Sequence, residues 1–393
     1  MRRPLAALLA TLVLFFFTAA SARGEFVTTG NALPGLTAFD RAVVTLLEKW
    51  KIPGASLAVA KDGRLVLARG YGYSDKDRFR PVTPDLRFRM ASLSKSLTAT
   101  AIMKLVEDGR IDLDQPALPL LGPWAPAPHE ITDPRVYRIT VRHLLVHRGG
   151  WNREVSGDPS FDSRAHLNDP DCRGVMHDEL TRHLDFDPGA SFAYSNTGYC
   201  ILGRIIEQVS GMRYADFVRR KVLAPAGVQD MILTRKAEFR ADEPVYYQTP
   251  GSTVSPYEGI ALDAIDSLAG WVARPTDYLR YFLALNGLTG KSILKPQSVA
   301  QMFASPPSTP KPPPNWYGLG VRVQARSGGL DLWHHGSMPG TQAEVVLSRE
   351  GVAWVIAFNA RPFDAAAFSD DIDATLWAAA RSTTTWPQGN LFE

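Results

Sequence analysis

Residues 55–70 read ASLAVAKDGRLVLARG. Two β-rich runs, residues 55–60 and 65–70, flank the segment Lys61-Asp62-Gly63-Arg64. An Asp-Gly pair between two apolar runs favours a tight turn that joins antiparallel strands. The stretch therefore predicts a β-hairpin near the start of the folded chain.

A second hairpin is predicted near the other end, where residues 343–347 and 352–358 flank the turn segment 348–351 (SREG). Between the hairpins the chain has mainly helical periodicity and loops. The helix candidates of the whole chain are residues 36–51, 92–108, 141–146, 197–210, 214–222, 276–285, 296–303 and 364–381. This order predicts an α+β fold in which one antiparallel sheet, flanked by helices, is built from both chain ends (about 36–90 and 316–393). A mainly helical lobe (about 91–315) is inserted between them.

Composition excludes several classes of protein. The chain has 393 residues, of which 45% are hydrophobic and 21% charged, and its net charge is +3. These values are those of a globular protein rather than a disordered, collagen-like or coiled-coil chain. The small basic excess gives little attraction for a phosphate backbone, so no nucleic-acid partner is expected. Only two cysteines are present, and Cys172 and Cys200 either form one disulfide in an oxidising compartment or stay as buried thiols.

The first 22 residues have the pattern of a signal peptide. The positive start MRRP precedes an apolar run over residues 5–20, and Ala20-Ser21-Ala22 offers small residues for cleavage. The alternative is an uncleaved membrane anchor, for which the run is slightly short. We expect cleavage after residue 22, a single catalytic domain over 23–393, a secreted or periplasmic location and no stable membrane anchor. The sequence leaves the oligomeric state open.

Reactive chemistry is indicated by Ser92 and Lys95 in the segment FRMASLSK (88–95). Residues three apart share a face at the start of the predicted helix. Free N–H groups at a helix N-terminus favour negative charge on an attacked carbonyl oxygen. An amine one turn away can accept the serine proton if its surroundings lower its pKa. The alternative is that Ser92 only caps a helix and Lys95 is a solvated surface residue.

Two further segments strengthen the catalytic interpretation. The segment YSN (194–196) precedes the predicted helix 197–210, so a phenol and an amide can project from a loop into a cleft. The segment WHHGS (333–337) precedes the C-terminal hairpin and is expected at an edge of the sheet. Three motifs thus follow one another in the chain: Ser92-x-x-Lys95, Tyr194-x-Asn196 and His334-x-Gly336.

These motifs resemble those of serine β-lactamases and penicillin-binding proteins. The tyrosine in the second motif resembles the branch that contains class C β-lactamases, D-aminopeptidases, D-alanyl-D-alanine carboxypeptidases and related esterases. The resemblance extends from about residue 38 to about residue 380. It implies a β-lactamase/transpeptidase-like fold and catalysis through an acyl-enzyme.

The resemblance also implies a role for each motif residue. Ser92 would be the nucleophile, and Lys95 would relay protons. Tyr194 would act as general base on Ser92 and on the deacylating water, and would protonate the leaving group. With a reference pKa near 10, a phenol can act as a base only if a cation such as Lys95 stabilises its phenolate.

The remaining motif residues would bind substrate. Asn196 would orient Lys95 and the acyl part of the substrate. The main-chain N–H groups of Ser92 and Ser337 would form the oxyanion hole, and His334 and Gly336 would lie beside the substrate. No cofactor is implied by the resemblance.

No metal is expected either. His143 and His147 have the four-residue spacing of a metal pair, but no Glu follows His143, so the zinc-protease pattern is absent. The polar segment 152–185 is expected to form the rim of the substrate pocket.

His334 departs from the class C pattern, which has a lysine at this position that helps to bind the β-lactam carboxylate. A histidine is mostly neutral at pH 7, so a fixed cationic anchor is missing, although His334 can donate a hydrogen bond. This favours a hydrolase of carboxylic esters. The alternatives are a D-amino-acid peptidase or DD-carboxypeptidase, a class C-type β-lactamase, and a non-catalytic binding or sensing module. Expected partners are small-molecule ester, amide or peptide substrates.

Overall fold

A computed structural model describes residues 26–161, 171–234, 238–258, 262–305 and 313–393. The predicted signal peptide lies outside these residues, as does the part of the predicted pocket rim at 162–170. Across the described ranges, none of the helices combines the length and the apolar character needed to cross a membrane.

The order of strands and helices along the chain places one hairpin near each end, as the sequence predicts. The strands are β1 (Thr28–Thr29), β2 (Gly54–Lys61), β3 (Arg64–Asp75), β4 (Arg80–Pro81), β5 (Phe88–Arg89), β6 (Ile232–Leu233), β7 (Trp271–Ala273), β8 (Asn315–Tyr317), β9 (Arg322–Arg326), β10 (Gly329–Met338), β11 (Thr341–Leu347) and β12 (Val352–Phe358). The α-helices are α1 (Thr37–Trp50), α2 (Ser94–Glu107), α3 (Val141–Leu145), α4 (Arg153–Ser156), α5 (Arg173–Thr181), α6 (Thr197–Ser210), α7 (Tyr214–Val218), α8 (Asp266–Ala269), α9 (Pro275–Leu285), α10 (Pro296–Phe303) and α11 (Ala365–Ser382).

One large antiparallel sheet joins the two ends of the chain. Its strand order is β1-β3-β2-β12-β11-β10-β9-β8, and β4 pairs with β3. The two predicted hairpins meet where β2 pairs with β12, from Ala55 opposite Phe358 to Lys61 opposite Val352. The predicted α+β fold with a sheet built from both chain ends is therefore confirmed. A small second sheet has the order β5-β7-β6.

The third motif lies on β10, which is not the outermost strand of the sheet, although the motif residues after Trp333 have one free edge as expected. Strands β9 and β8 continue the sheet beyond β10. These strands have only three and five residues and were not predicted, although Val323 and Ala325 alternate with polar residues in β9 (RVQAR). β9 pairs with β10 only from Gly329 to Trp333, so residues 334–338 keep β11 on one side and are free of a strand partner on the other.

Both faces of the sheet are covered. On β12, Trp354, Ile356 and Phe358 pack into a core with residues of α1 and α11, whereas Val355 and Ala357 pack into the core of the helical lobe. Apolar side chains therefore alternate between two separate cores along one strand. The helical lobe, with α2 at its centre, consequently rests directly on the sheet.

Helix α2 is buried over most of its length. Its polar side chains are satisfied by tyrosines from other helices. The hydroxyl pairs are Ser96 with Tyr278 at 2.7 Å, Thr98 with Tyr214 at 2.8 Å and Thr100 with Tyr281 at 2.9 Å. Because a buried hydroxyl without a partner is costly, these pairs fix the rotation of α2 about its axis.

The predicted helix boundaries are close to those in the structure. Helices 197–210 and 296–303 match α6 and α10 at both ends. The helix predicted from residue 92 begins instead at Ser94, after a 3₁₀ turn over Ala91–Leu93. The helix predicted over 214–222 divides into α7 and a π-helical turn over Arg219–Leu223.

The two cysteines form a disulfide, which decides the alternative that the sequence left open. Cys172 immediately precedes α5 and Cys200 lies in α6, and their Cα atoms are 6.1 Å apart. Both residues are buried. The bond therefore attaches α5 to the helix that follows the second motif.

Reduction of this disulfide is expected to lower the free energy of unfolding by about 2–4 kcal/mol, because the bond closes a long loop in the unfolded chain. The loop spans 28 residues of sequence. Urea denaturation with and without dithiothreitol measures the effect. A Cys172→Ala/Cys200→Ala double variant is the control, and its urea midpoint should be the same with and without dithiothreitol. A wild-type midpoint that reductant leaves unchanged would contradict the prediction.

Candidate active site

Ser92 lies in the 3₁₀ turn that leads into α2. Its neighbours Ala91 and Leu93 are fully buried, whereas Ser92 is only partly buried. Ala91 has a φ of 46°, a left-handed conformation that is uncommon for a residue with a Cβ atom. Within this turn, Ser92 is the one residue that is not fully buried.

Lys95 lies one turn further along and its side chain is completely buried. Its Nζ donates to Asn196 Oδ1 at 2.8 Å and to the Leu268 carbonyl oxygen at 3.0 Å, and it is 3.2 Å from Ser92 Oγ. A neutral amine has two hydrogens and one lone pair. The two carbonyl oxygens can accept both hydrogens, which directs the lone pair towards the Ser92 hydroxyl.

Burial lowers the pKa of Lys95 to about 7, because desolvation disfavours the ammonium form. Two nearby charges act in opposite directions on this pKa. Asp158 raises it and Arg153 lowers it. A substantial fraction of Lys95 is therefore a neutral amine at pH 7, in hydrogen-bonding distance of the Ser92 hydroxyl.

Tyr194 lies on the loop before α6, as the sequence predicts, and Lys95 Nζ is 5.0 Å from the centre of its ring. Burial raises the pKa of Tyr194 well above 10, while a hydrogen bond with Ser92 and the charges of Arg322 and Arg153 lower it. Burial has the largest effect, so Tyr194 is a neutral phenol at rest. The idea that a resting phenolate removes the Ser92 proton is therefore not favoured by these electrostatics.

Asn196 and Asp158 hold the Lys95 amine in place. The Asn196 amide donates from Nδ2 to Asp158 Oδ2 at 2.7 Å and accepts from Lys95 through Oδ1. Asp158 thereby fixes which end of the amide faces Lys95. The sequence did not single out Asp158, because it is one of several acidic residues in the polar segment 152–185 and has no distinctive spacing.

The His147 ring packs against the ring of Tyr194. Its ring centre is 4.1 Å from that of Tyr194 and 4.4 Å from that of Tyr317, and its Nδ1 accepts the Ser195 N–H at 3.2 Å. His143 has a local structural role, because its Nδ1 accepts the Thr140 N–H at 3.3 Å at the start of α3. In the described part of the chain, no group of three or more His, Cys, Asp or Glu side chains is arranged to hold a metal ion.

His334 is buried, and both of its ring nitrogens are engaged within the protein. Nδ1 is 2.6 Å from the His335 carbonyl oxygen, which can only accept, so Nδ1 carries the proton. Nε2 then accepts from the Tyr317 hydroxyl at 2.9 Å. Burial is the main cause that holds the pKa of His334 well below its usual range. The expectation that His334 donates a hydrogen bond to substrate is thus replaced by a role in holding Tyr317.

Gly336 allows β10 to approach the turn that carries Ser92. A Cβ atom at this position would overlap the Met90 carbonyl oxygen and lie 3.0 Å from Leu93 Cδ1. A larger residue would therefore push the strand away from the nucleophile. In the sequence, Gly336 was identified only as part of a motif. The close contact with Met90 and Leu93 explains why a residue without a side chain is needed there.

The register of β10 directs the main chain of Ser337 towards the same turn. Met338 pairs with Thr341 across a two-residue loop, so Ser337 and Gln342 form the next, non-hydrogen-bonded pair. The N–H of Ser337 consequently points away from β11, to the side where β9 has already ended. The structure thus brings Ser92, Lys95, Tyr194 and Asn196 together and places Gly336 and Ser337 beside them.

Several known proteins are similar to this chain in sequence. The family model described as "Beta-lactamase" matches residues 39–376. "Protein flp" of Staphylococcus aureus strain COL is 29% identical over 207 residues, which are 53% of this chain and 40% of that protein. The chain therefore spans less than half of the length of this relative.

Two solved structures are similar over most of the chain. The octameric penicillin-binding protein homologue from Pyrococcus abyssi has 25% identity and a TM-score of 0.68, over 87% of this chain and 77% of that one. D-amino acid amidase from Ochrobactrum anthropi, complexed with D-phenylalanine, has 25% identity and a TM-score of 0.69, over 87% of this chain and 99% of that one.

Replacement of Gly336 by alanine is expected to lower the free energy of unfolding by about 1–3 kcal/mol, because the added methyl group overlaps rigid backbone at Met90. Thermal unfolding measures the loss. Gly389→Ala is the matched control, because nothing lies within 4 Å of a Cβ atom at that position. Equal melting temperatures for the two variants would contradict the close contact between β10 and the nucleophile turn.

Proposed function

The chain belongs to the Beta-lactamase family of serine hydrolases, and from this membership we propose that it is an exported enzyme that hydrolyses carboxylic esters through an acyl-enzyme on Ser92. One observation carries the proposal. Both hydrogens of the buried Lys95 amine have carbonyl acceptors. The lone pair that remains on Nζ faces Ser92 Oγ at 3.2 Å. The Cys172–Cys200 disulfide supports export, since such bonds persist in oxidising compartments.

In the proposed acylation step, neutral Lys95 takes the proton of Ser92 while Oγ attacks the ester carbonyl carbon. The N–H groups of Ser92 and Ser337 stabilise the oxyanion. The bond to the alcohol then breaks, and the Tyr194 phenol donates its proton to the departing oxygen. Lys95 is then an ammonium and Tyr194 a phenolate, so the two groups stabilise each other as charges.

Deacylation returns both protons. The Tyr194 phenolate takes a proton from water, and the resulting hydroxide attacks the acyl carbon. Ser92 leaves with the proton held by Lys95, which restores the neutral amine and the neutral phenol. Tyr194 therefore acts as a base only in this second half of the cycle, after it has already given up its proton.

The acidity of Tyr194 favours esters over amides. Burial raises the pKa of this phenol, which makes it a weaker acid. An amine must be protonated to leave, whereas an ester alcohol, above all a phenol, needs less help. A second candidate is hydrolysis of D-amino-acid amides, which is favoured by the similarity to D-amino acid amidase.

A fluorophosphonate probe is expected to label Ser92, with the modified peptide identified by mass spectrometry. Ser92→Ala should lose the label and lower ester turnover by about 10³-fold or more, because the nucleophile is removed. Ser327→Ala, which changes an exposed serine on the same domain, is the control. Folded protein that takes no label and turns over no substrate would instead favour the non-catalytic binding module.

The choice of substrate is tested with a 4-nitrophenyl ester, a D-alanyl 4-nitroanilide and nitrocefin, compared by kcat/KM. We expect the ester to be the best substrate of the three. A higher kcat/KM for the anilide would select the amidase alternative, and a higher value for nitrocefin would select β-lactam hydrolysis.

The pH dependence of kcat/KM should report the pKa of Lys95. The neutral amine is the active form, so the rate should fall by about tenfold per pH unit below about 7 and level off above it. Asp158 raises this pKa, so Asp158→Asn should move the acidic limb to lower pH. Arg153 lowers the pKa, so Arg153→Gln should move the limb to higher pH. Shifts in the same direction for both variants would exclude Lys95 as the titrating group.

A further inference from the structure

A cavity lies on the sheet face that packs against α11, away from the helical lobe. Helix α11 covers β11 and β12 on this face, and its Ile372 and Leu376 pack into one core with Val346 of β11. The sheet continues past β11 to β10, β9 and β8. A cavity of about 550 Å³, called here the outer cavity, is left between α11 and these outer strands.

One part of the outer cavity is acidic. Asp370 and Asp373 lie one turn apart on α11, and both line the cavity. Among the described residues, the Asp373 carboxylate accepts one hydrogen bond, from Trp377 Nε1 at 3.0 Å, and neither aspartate forms an ion pair. Burial, and next the charge of Glu344, raise the pKa of Asp373 to about 6, while the charge of His335 lowers it. A carboxylate whose pKa is raised by a neighbouring negative charge is stabilised by a cation that binds beside it.

A free cation lies further along the same helix. Arg381 lines the outer cavity eight residues after Asp373, so about 12 Å of helix separates their two Cα atoms. Arg326 and Arg349 also line the cavity, but both pair with Asp331, at 3.5 Å and 3.1 Å. Among the described residues, no hydrogen bond or ion pair engages Arg381. The cavity therefore has unpaired acids towards one end of α11 and an unpaired guanidinium towards the other.

The wall also contains aromatic rings and amide groups. Trp377 follows Asp373 by one turn of α11, and Trp333 lines the outer cavity from β10. Asn315 and Gln324 pair across β8 and β9, and both line the cavity. In the described part of the chain, the side-chain amides of these two residues make no hydrogen bond. Each amide can therefore donate to and accept from a bound molecule that has peptide groups of its own.

We propose that the outer cavity binds a linear zwitterion with amide groups, that is, a short peptide with free ends. Its ammonium group pairs with Asp370 and Asp373, and its carboxylate pairs with Arg381. An extended tripeptide is about 10 Å long, which is close to the separation of these charges along α11. Its side chains can pack on the two tryptophan rings. This inference concerns a separate binding site and does not rest on the proposed function.

The test measures binding of the tripeptide alanyl-phenylalanyl-alanine by isothermal titration calorimetry. The full chain carries Ser92→Ala, so that the peptide is not turned over, and the pH is 8, where Asp373 is ionised. Acetylation of the peptide amine or amidation of its carboxylate should each lower the affinity about tenfold or more, as for loss of a hydrogen-bonded charge pair. An equal affinity for the free and both capped peptides would contradict recognition of the charged ends.

Two variants assign the ends of the peptide. Asp373→Asn should weaken binding of the free peptide but leave the affinity for the acetylated peptide unchanged. Arg381→Gln should weaken binding of the free peptide but leave the affinity for the amidated peptide unchanged. Asp371→Asn is the matched control, because this aspartate lies on the same helix outside the cavity, where it accepts from Trp50 Nε1 at 2.8 Å.

Thermal unfolding of each variant confirms that it is folded. The control variant should keep the affinity that the chain with Ser92→Ala alone has for the free peptide. Absence of binding at millimolar peptide overturns the assignment. Binding that both Asp373→Asn and Arg381→Gln leave unchanged also overturns it, because the peptide is then bound elsewhere, for example beside residue 92.

Discussion

The site depends on how one buried amine is accommodated. Lys95 is completely buried, and no acidic side chain of the described residues forms an ion pair with it, so the ammonium form is costly and the amine becomes neutral near pH 7. Its hydrogens go to Asn196, which immediately precedes α6, and to the carbonyl of Leu268 in α8. These acceptors are about 100 and 170 residues from Lys95 in sequence. The reactive amine therefore exists only when separate parts of the helical lobe are packed around α2.

The sheet contributes the other half of the site, and it can do so because a glycine allows one strand to come close to Ser92. β10 reaches the nucleophile turn because Gly336 has no side chain and because β9 ends at its pairing with Trp333. The N–H of Ser337 is then left without a strand partner on the side of Ser92. Since β10 is attached through β11 and β12 to β2, the pairing of the two chain ends helps to set the position of the Ser337 N–H relative to Ser92.

Much of this arrangement could be predicted from the sequence, and the failures have physical reasons. The Asp-Gly turn and the apolar runs of β2, β3, β11 and β12 have local signals that tertiary packing does not override. Strand β9 has a weaker signal, an alternation of polar and apolar residues over five positions without an apolar run, and it was not predicted. The roles of Asp158 and Arg322 depend on which charges meet in space, and spacing along the chain carries no information about that. The sequence also left the Cys172–Cys200 bond open, because two cysteines alone do not fix their distance.

Burial moves the pKa values of Lys95 and Tyr194 in opposite directions for the same reason, since it disfavours the charged form of each. The resting pair is therefore neutral, and transfer of the Ser92 proton to Lys95 together with loss of the Tyr194 proton creates two charges of opposite sign. Lys95 Nζ is 5.0 Å from the Tyr194 ring centre, so these charges attract each other in a poorly solvated site. Burial raises the pKa of Tyr194, and the charges of Arg322 and Arg153 act against burial and lower it, which makes the phenolate easier to form. The cations around the phenol thus partly offset, at Tyr194, the same desolvation that makes the Lys95 amine neutral near pH 7.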